Sequence, residues 1–190
     1  MQRLRPAGRA HLRLRILDAL YYTRDSTSAS TAAGELQMMT TVGLPGAAAD
    51  NCVLAQWRVW RGELEDTRRL LDVLKTQSEE TPMLAGVQPA VCVPLVEAQL
   101  SVAARESEAA ARVRTFDAFA FTSSGAGDLT AYANIAAAEM HQKLNAPQDA
   151  LAAIRRGPWG AFVWPRYRDA SSRLERELCA LPSLAQQCKA

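Results

Sequence analysis

The side chains that could bind a metal or act as nucleophiles are four cysteines and two histidines. A structural zinc site typically takes closely spaced cysteine pairs such as C-x-x-C, and no two cysteines here have that spacing. The residues are Cys52, Cys92, Cys179, Cys188, His11 and His141. We therefore expect no metal site, and the pattern favours reduced, mostly buried thiols in a cytoplasmic protein.

Residues for acid–base or nucleophilic catalysis are also poorly placed. A serine or cysteine nucleophile needs a histidine oriented by a third group, and both histidines lie in predicted helices where burial is the simpler explanation. Glu79 and Glu80 are adjacent carboxylates in a predicted loop beside Pro82. Contact with water there gives a carboxylate no apolar surroundings that would suit it to acid–base catalysis. We expect the protein not to be an enzyme and to need no cofactor.

A glycine-rich segment, TSSGAG at 122–127, invites comparison with phosphate-binding loops. A Walker loop requires G-x-x-x-x-G-K-[ST], and the dinucleotide fingerprint would need a glycine where Thr130 stands. The segment is therefore predicted to be a flexible connection.

The most unusual local composition is the aromatic segment 157–167, GPWGAFVWPRY. Large aromatic rings in a rigid loop can form a recognition pocket, or they can fill the space between two helical hairpins. The second interpretation is favoured, because each helical pair needs a bulky group at its end and Pro165 is well placed to start the next helix.

Charge and hydropathy limit the possible partners. The 190 residues include 22 Lys and Arg against 20 Asp and Glu, a net charge of +2, so nucleic acid is not indicated. No apolar run reaches the roughly 20 residues that span a bilayer, and the arginine-rich start lacks the apolar core of a signal peptide. We expect no nucleic-acid partner and no membrane insertion. The scarcity of lysine beside abundant alanine is typical of a GC-rich bacterial genome.

The chain is expected to begin with an amphipathic helix over 7–22 that presents Arg9 and Arg13 on a solvated face. Residues 23–31, TRDSTSAST, read as a polar linker, and 32–40 as a short helix.

Three helical hairpins are predicted in the remainder. In the clearest, Asp128 caps a helix that breaks at Leu144-Asn145-Ala146, and Pro147 starts its partner. In another, Asp50 or Asn51 caps a helix that ends at Arg61-Gly62-Glu63. Its apolar face contains Val53, Trp57, Trp60 and, beyond the break, Leu64; the partner helix covers 64–75, and 76–89 is a loop. The third pair covers 90–105 and 106–119.

The turns and second helices of two hairpins share one spacing, i, i+5 and i+9: Gly62, Thr67 and Leu71, then Asn145, Ala150 and Ile154. This spacing resembles the tetratricopeptide repeat. The chain is similar to the degenerate repeats behind some bacterial serine/threonine kinase domains and in large bacterial regulators. It contains none of the kinase motifs, so only a docking or sensing role is implied.

The resemblance implies an all-α fold of about seven helices, with α-α hairpins stacked as a short right-handed solenoid. We expect a single domain, 1–190, with clear units at 50–76, 90–120 and 128–156 and an incomplete unit at 166–190.

The expected function is a protein interaction or scaffold module that binds a partner segment in a groove lined by first helices. By the register of the family, Gln56, Trp60, Glu139 and Lys143 point into this groove. The alternative is a small-molecule sensor of a bacterial signalling protein, with an apolar ligand enclosed near Trp159 and Trp164.

Two cysteines leave a second interpretation of redox state open. Cys52 and Cys92 fall near the starts of first helices in consecutive units, and such helices are neighbours in a solenoid. A disulfide between them is geometrically conceivable and would imply an extracytoplasmic part of a membrane-bound protein.

The last predicted helix has an apolar stripe consisting of Tyr167, Ala170, Leu174, Leu178 and Leu181. Only a short segment follows it, and solenoid ends normally need a polar capping helix. We therefore expect either a fragment of a longer protein or self-association through Leu174, Leu178 and Leu181.

Overall fold

The computed structural model describes residues 6–40, 47–80, 89–122, 128–156 and 165–188, which form helices and turns with no strand. The helices are α1 (Pro6–Asp18), α2 (Ser26–Met39), α3 (Ala47–Arg61), α4 (Leu64–Glu80), α5 (Pro89–Ala103), α6 (Ala109–Thr122), α7 (Asp128–Lys143), α8 (Pro147–Arg155) and α9 (Pro165–Cys179). The all-α prediction is confirmed. The described residues alone contain nine α-helices, so the expected number of about seven is too low.

The turns inside the hairpins form where the sequence indicated. Gly62 (φ 79°) ends α3 and Asn145 (φ 57°) ends α7, both in the left-handed region that glycine and asparagine tolerate best. The following amide reaches back five residues in each turn, from Glu63 to the carbonyl of Arg58 at 2.9 Å and from Ala146 to that of His141 at 2.9 Å. This is the Schellman pattern of helix ends, and it turns the chain directly into the next helix.

Contacts within the chain divide it into two compact units, Met1–Ala104 and Arg105–Ala190. None of the described helices combines the length and the apolar character needed to cross a membrane.

In the first unit α3 is the central helix. It packs against α1 and α2 as well as against α4 and α5, and every side chain from Ala47 to Trp57 is buried. The sequence predicted only one apolar face for this helix. Its many alanines allow neighbouring helices to approach closely on several sides, and α1 and α2 cover the side that the prediction left open.

A disulfide ties two of the helices around this core. Cys52 of α3 and Cys92 of α5 are bonded, with Cα atoms 5.7 Å apart, inside a cluster that also contains Ala55, Leu74 and Val96. Cys179 and Cys188 form a second bond. The expectation of reduced thiols is therefore wrong, and the alternative pairing of Cys52 with Cys92 is present.

The arginines of α1 are not a solvated face. Arg9 Nε lies 2.7 Å from Asp50 Oδ2 and Arg13 Nη1 lies 2.6 Å from Asp50 Oδ1, and the two side chains are only 11% and 18% exposed. A buried carboxylate must be paired, and Asp50, at the start of α3, takes its partners from α1. Asp50 is thus inside α3 rather than its cap.

The segment predicted as a polar linker is mostly helix. A π-helical turn, Ala19–Thr23, follows α1, and α2 begins at Ser26 because the Asp25 carboxylate accepts hydrogen bonds from the amides of Thr27 and Ser28. The π-helical turn places Tyr21 in the core. Its hydroxyl donates to Gln56 Oε1 at 2.9 Å and accepts from Gln99 Nε2 of α5 at 2.8 Å.

In the second unit α7 packs against α6, α8 and α9, and its residues Ala133–Ala138 are all buried. Proline starts both α8, at Pro147, and α9, at Pro165, as predicted. His141 is 3% exposed, which confirms the prediction of a core histidine; His11, by contrast, is exposed.

The apolar stripe of α9 is largely covered by the chain itself. Leu174 is 6% exposed and Leu178 is fully buried, while Leu181 is 37% exposed. After α9 the chain folds back through a 3₁₀ turn, Pro182–Leu184, with Leu184 fully buried. Self-association through Leu174 and Leu178 is therefore not available to this conformation, because the second unit already buries them.

Candidate functional site

The last turn of α3 emerges from the core of the first unit. Trp57 is 5% exposed, whereas Trp60, one turn later, is 38% exposed. The turn at Gly62 follows directly, so the last two residues of α3, Trp60 and Arg61, lie at the surface. This end of α3 is the most strongly aromatic part of the described surface of the unit.

The two tryptophans form one stacked pair. Their ring centroids are 5.2 Å apart and their planes are inclined by 25°, as their i, i+3 spacing on a helix allows. The guanidinium carbon of Arg61 lies 5.7 Å from the centroid of the Trp57 ring, within the range of a cation–π contact. Arg61 Nε also lies 2.9 Å from Glu63 Oε1. The exposed Trp60 ring therefore rests on Trp57, which Arg61 contacts in turn.

The opposite wall comes from the first turns of α2. Ser26, Thr27 and Ser30 face the tryptophans across an open depression of about 380 Å³, which Arg61 also lines. Because the start of α2 lies beside the end of α3, the two helices are antiparallel here. We call this feature the α2–α3 depression. It combines an aromatic surface, three hydroxyl groups and a guanidinium.

Of the predicted groove residues in the first unit, only Trp60 reaches this surface. Gln56 is 2% exposed; its Oε1 accepts from Tyr21 and its Nε2 donates to the carbonyl of Cys52 at 3.2 Å. The prediction for Gln56 is wrong, because the face of α3 on which it lies is covered and its amide belongs to the interior.

The other predicted residues belong to the second unit or lie outside the described residues. Glu139 is half-buried and Lys143 is exposed, both on α7. Trp159 and Trp164, and with them the predicted sensor pocket and the aromatic plug, lie outside the described residues. So do the Gly125-x-Gly127 segment and the side chains of Glu79 and Glu80, and predictions that rest on them stay predictions.

In the described part of the second unit, a partly buried ionic cluster joins α6, α7 and the residue that follows α8. Asp117 Oδ2 lies 3.2 Å from His141 Nε2, and Asp117 Oδ1 accepts from Arg156. Each carboxylate oxygen therefore has a partner, so the cluster acts as a bridge between helices. Within the described part of the chain no group of three His, Cys, Asp or Glu side chains is arranged to hold a metal ion.

The hydroxyl wall of the α2–α3 depression is what sequence reasoning missed. The Ser/Thr composition of 23–31 predicts a linker, although Asp25 is a good N-cap and Ala29, Ala32, Ala33 and Leu36 follow at i, i+3, i+4 and i+7. That combination of cap and spacing was the available signal.

Comparison with known proteins adds no relative to this description. No family model matches the sequence, and neither the curated proteins nor the solved structures contain a significant match.

Proposed function

We propose that the protein is a non-catalytic interaction module and that it binds a peptide segment of a partner in the α2–α3 depression. The observation that carries the proposal is Trp60, a large aromatic side chain 38% exposed and held in place by stacking on Trp57. Tryptophan and arginine are the residues most enriched among those that dominate binding energy at protein interfaces. A rigid ring also loses little conformational entropy when a partner binds.

The chemistry of the depression suggests the kind of segment that fits. An apolar or aromatic side chain of the partner packs on Trp60, and the backbone of the partner bonds with Ser26, Thr27 and Ser30 across the depression. A volume of about 380 Å³ lies at the lower end of the range for small-ligand pockets. It accommodates one or two side chains, which favours a peptide anchor over a large ligand.

The resemblance to tetratricopeptide repeats remains part of this proposal. It is supported by the packing of α3 on α4 and of both on α5, which is the neighbour relation of consecutive hairpins in such an array. A role in bacterial signalling rests on the resemblance alone. The small-molecule sensor stays the alternative.

We also propose an oxidising, extracytoplasmic location rather than the cytoplasmic one. The two disulfides support it, because structural disulfides persist in oxidising compartments and are rare where thiols are kept reduced.

Peptide selection tests the binding proposal. Random peptides displayed on phage are selected on the immobilised full chain, and the affinities of the selected peptides are measured by fluorescence anisotropy for wild type, Trp60→Ala and Met38→Ala. Met38 is 82% exposed and lies near the opposite end of α2, so it is a matched apolar control. We expect Trp60→Ala to weaken binding by about thirtyfold, as for an interface hot spot, and Met38→Ala to leave it unchanged.

The comparison requires that both variants give the wild-type circular dichroism spectrum and unfolding midpoint. Selected peptides that bind Trp60→Ala as tightly as wild type would remove the α2–α3 depression as the binding site.

A further inference from the structure

The two disulfides differ in their access to solvent. Cys52 and Cys92 are each 1% exposed, inside the core of the first unit. Cys179 and Cys188 are each only half-buried, at the end of α9 in the second unit. Thiol–disulfide exchange requires a thiolate to reach a disulfide sulfur. A reductant in solution therefore reaches the second bond more readily, whereas it needs an opening of the fold to reach the first.

The accessible bond holds a short segment against the unit. Residues 180–188, which we call the C-terminal turn, fold back from α9 and place Leu184 in the interior, fully buried. Arg155 of α8 bonds the turn to the rest of the unit: its Nη1 donates to the carbonyl of Gln187 at 3.1 Å, while its Nε lies 2.8 Å from Glu175 Oε1 of α9. Among the described residues, Leu184 is the one buried side chain of this segment and Arg155 the one side chain shown to bond it from another helix, which are few contacts for a segment of this length.

We propose that Cys179–Cys188 is a thiol–disulfide exchange site, and that its reduction by a protein dithiol releases the C-terminal turn. The released form exposes Leu184 and the end of α9 on which the turn packs. Of the apolar residues that the sequence suggested for self-association, Leu174 and Leu178 are covered in the oxidised protein while Leu181 is already 37% exposed, and release of the turn uncovers the part of α9 on which the turn packs.

The position of Arg155 indicates which sulfur leaves. Its Nη2 lies 3.9 Å from Cys188 Sγ, where a guanidinium stabilises the negative charge that develops on that sulfur. The thiolate of the dithiol attacks Cys179 Sγ, the bond between the two sulfurs breaks, and the electron pair leaves on Cys188. The product is a mixed disulfide between the reductant and Cys179.

The second step completes the transfer. The second thiol of the reductant loses its proton and attacks the first sulfur of the reductant, which is bonded to Cys179 in the mixed disulfide. This attack expels the thiolate of Cys179. Both cysteine thiolates take up protons. In total the disulfide of the chain gains two electrons and two protons, and the dithiol is oxidised to a disulfide.

Timed reduction of the native full chain tests whether Cys179–Cys188 is the exchange site. The chain is treated with a low concentration of dithiothreitol, quenched at intervals with an alkylating reagent and analysed by peptide mass spectrometry. We expect Cys179 and Cys188 to be labelled at least about tenfold faster than Cys52 and Cys92, because only the buried pair depends on opening of the fold. Urea below the unfolding transition should accelerate labelling of the buried pair alone.

Amide hydrogen exchange tests whether reduction releases the C-terminal turn. We expect exchange in residues 181–188 to rise after selective reduction, and the double variant C179S/C188S to show the same fast exchange with or without dithiothreitol. Equal labelling rates for the two pairs would overturn the accessibility argument. Selective reduction that leaves the C-terminal turn as protected as before would overturn its release.

Discussion

Arg13 and Asp50 form a close ion pair, with Arg13 Nη1 2.6 Å from Asp50 Oδ1, although they are 37 residues apart. The carboxylate of Asp50 is completely buried, and it also accepts from Arg9 and lies 3.3 Å from the Thr40 hydroxyl. The pair joins the first helix of the unit to the start of the central one. Its role is structural, because all its partners are internal to the fold.

Removal of this carboxylate should be costly. Asp50→Ala removes the buried carboxylate that Arg9 and Arg13 share, and we expect a loss of about 3 kcal/mol in the free energy of unfolding, at the lower end of the range for broken buried pairs. Chemical denaturation measures it. Glu65→Ala is the control, since Glu65 pairs with Arg68 at the surface and such pairs contribute less than about 1 kcal/mol. Equal effects of the two substitutions would contradict the assignment.

Tyr21→Phe should destabilise the first unit by about 1–3 kcal/mol, because it leaves the buried amides of Gln56 and Gln99 without their shared partner. Urea unfolding of Tyr21→Phe, Gln56→Met and the double variant gives a double-mutant cycle. We expect the double variant to be more stable than the sum of the single losses predicts. Additive losses would mean that the hydroxyl and the amide do not interact.

Alanine at two glycines should have opposite effects. An added Cβ meets no atom within 4 Å at Gly62 or at Gly34, so the backbone conformation alone determines the change in stability. Gly62 has φ 79°, and we expect Gly62→Ala to cost about 1–2 kcal/mol. Gly34 lies inside α2 and is exposed, so Gly34→Ala should stabilise by about 0.5–1 kcal/mol. Thermal unfolding midpoints that shift in the same direction for both variants would contradict this account.

Removal of the two disulfides should affect stability unequally. The cysteines of the first are 40 residues apart and those of the second only 9, so the unfolded chain gains more freedom when the first is lost. The chain-entropy relation gives about 4 kcal/mol for C52A/C92A and about 2.5 kcal/mol for C179A/C188A. Urea unfolding measures both. A larger loss for C179A/C188A would show that the C-terminal turn contributes more than its contacts indicate.

Local rules predicted several helix ends correctly, but they misplaced the starts of α2 and α3 and the end of α4, which reaches Glu80 in the segment predicted as a loop, and they predicted the packing poorly. Pro147, Pro165, Gly62 and Asn145 end or start helices where expected, because caps and turns depend on neighbouring residues. Gln56 was misplaced because its surroundings come from Tyr21, a residue distant in sequence. No local pattern shows that α1 and α2 cover α3.

Because local patterns do not show long-range contacts, the sequence also predicted only part of the candidate site and of the cysteine pairing. The register of the tetratricopeptide repeat predicts Trp60 at the surface, and it is exposed. The hydroxyl wall of α2 is not predicted, because the Ser/Thr composition outweighs the cap at Asp25. The bond between Cys179 and Cys188 requires the chain to fold back after α9, and a short segment without periodicity gives no signal of that path.

The enclosure of α3 has a consequence for synthesis of the protein. α3 leaves the ribosome after α1 and α2 but before α4 and α5, which complete its surroundings. The side of α3 that packs on α4 and α5 has no cover in the nascent chain until those helices have emerged, and intermediates with exposed apolar surface are the species that aggregate or recruit chaperones. The partner of Cys52 also arrives only with α5, so the covalent bond of the first unit cannot form before its last helix has been made.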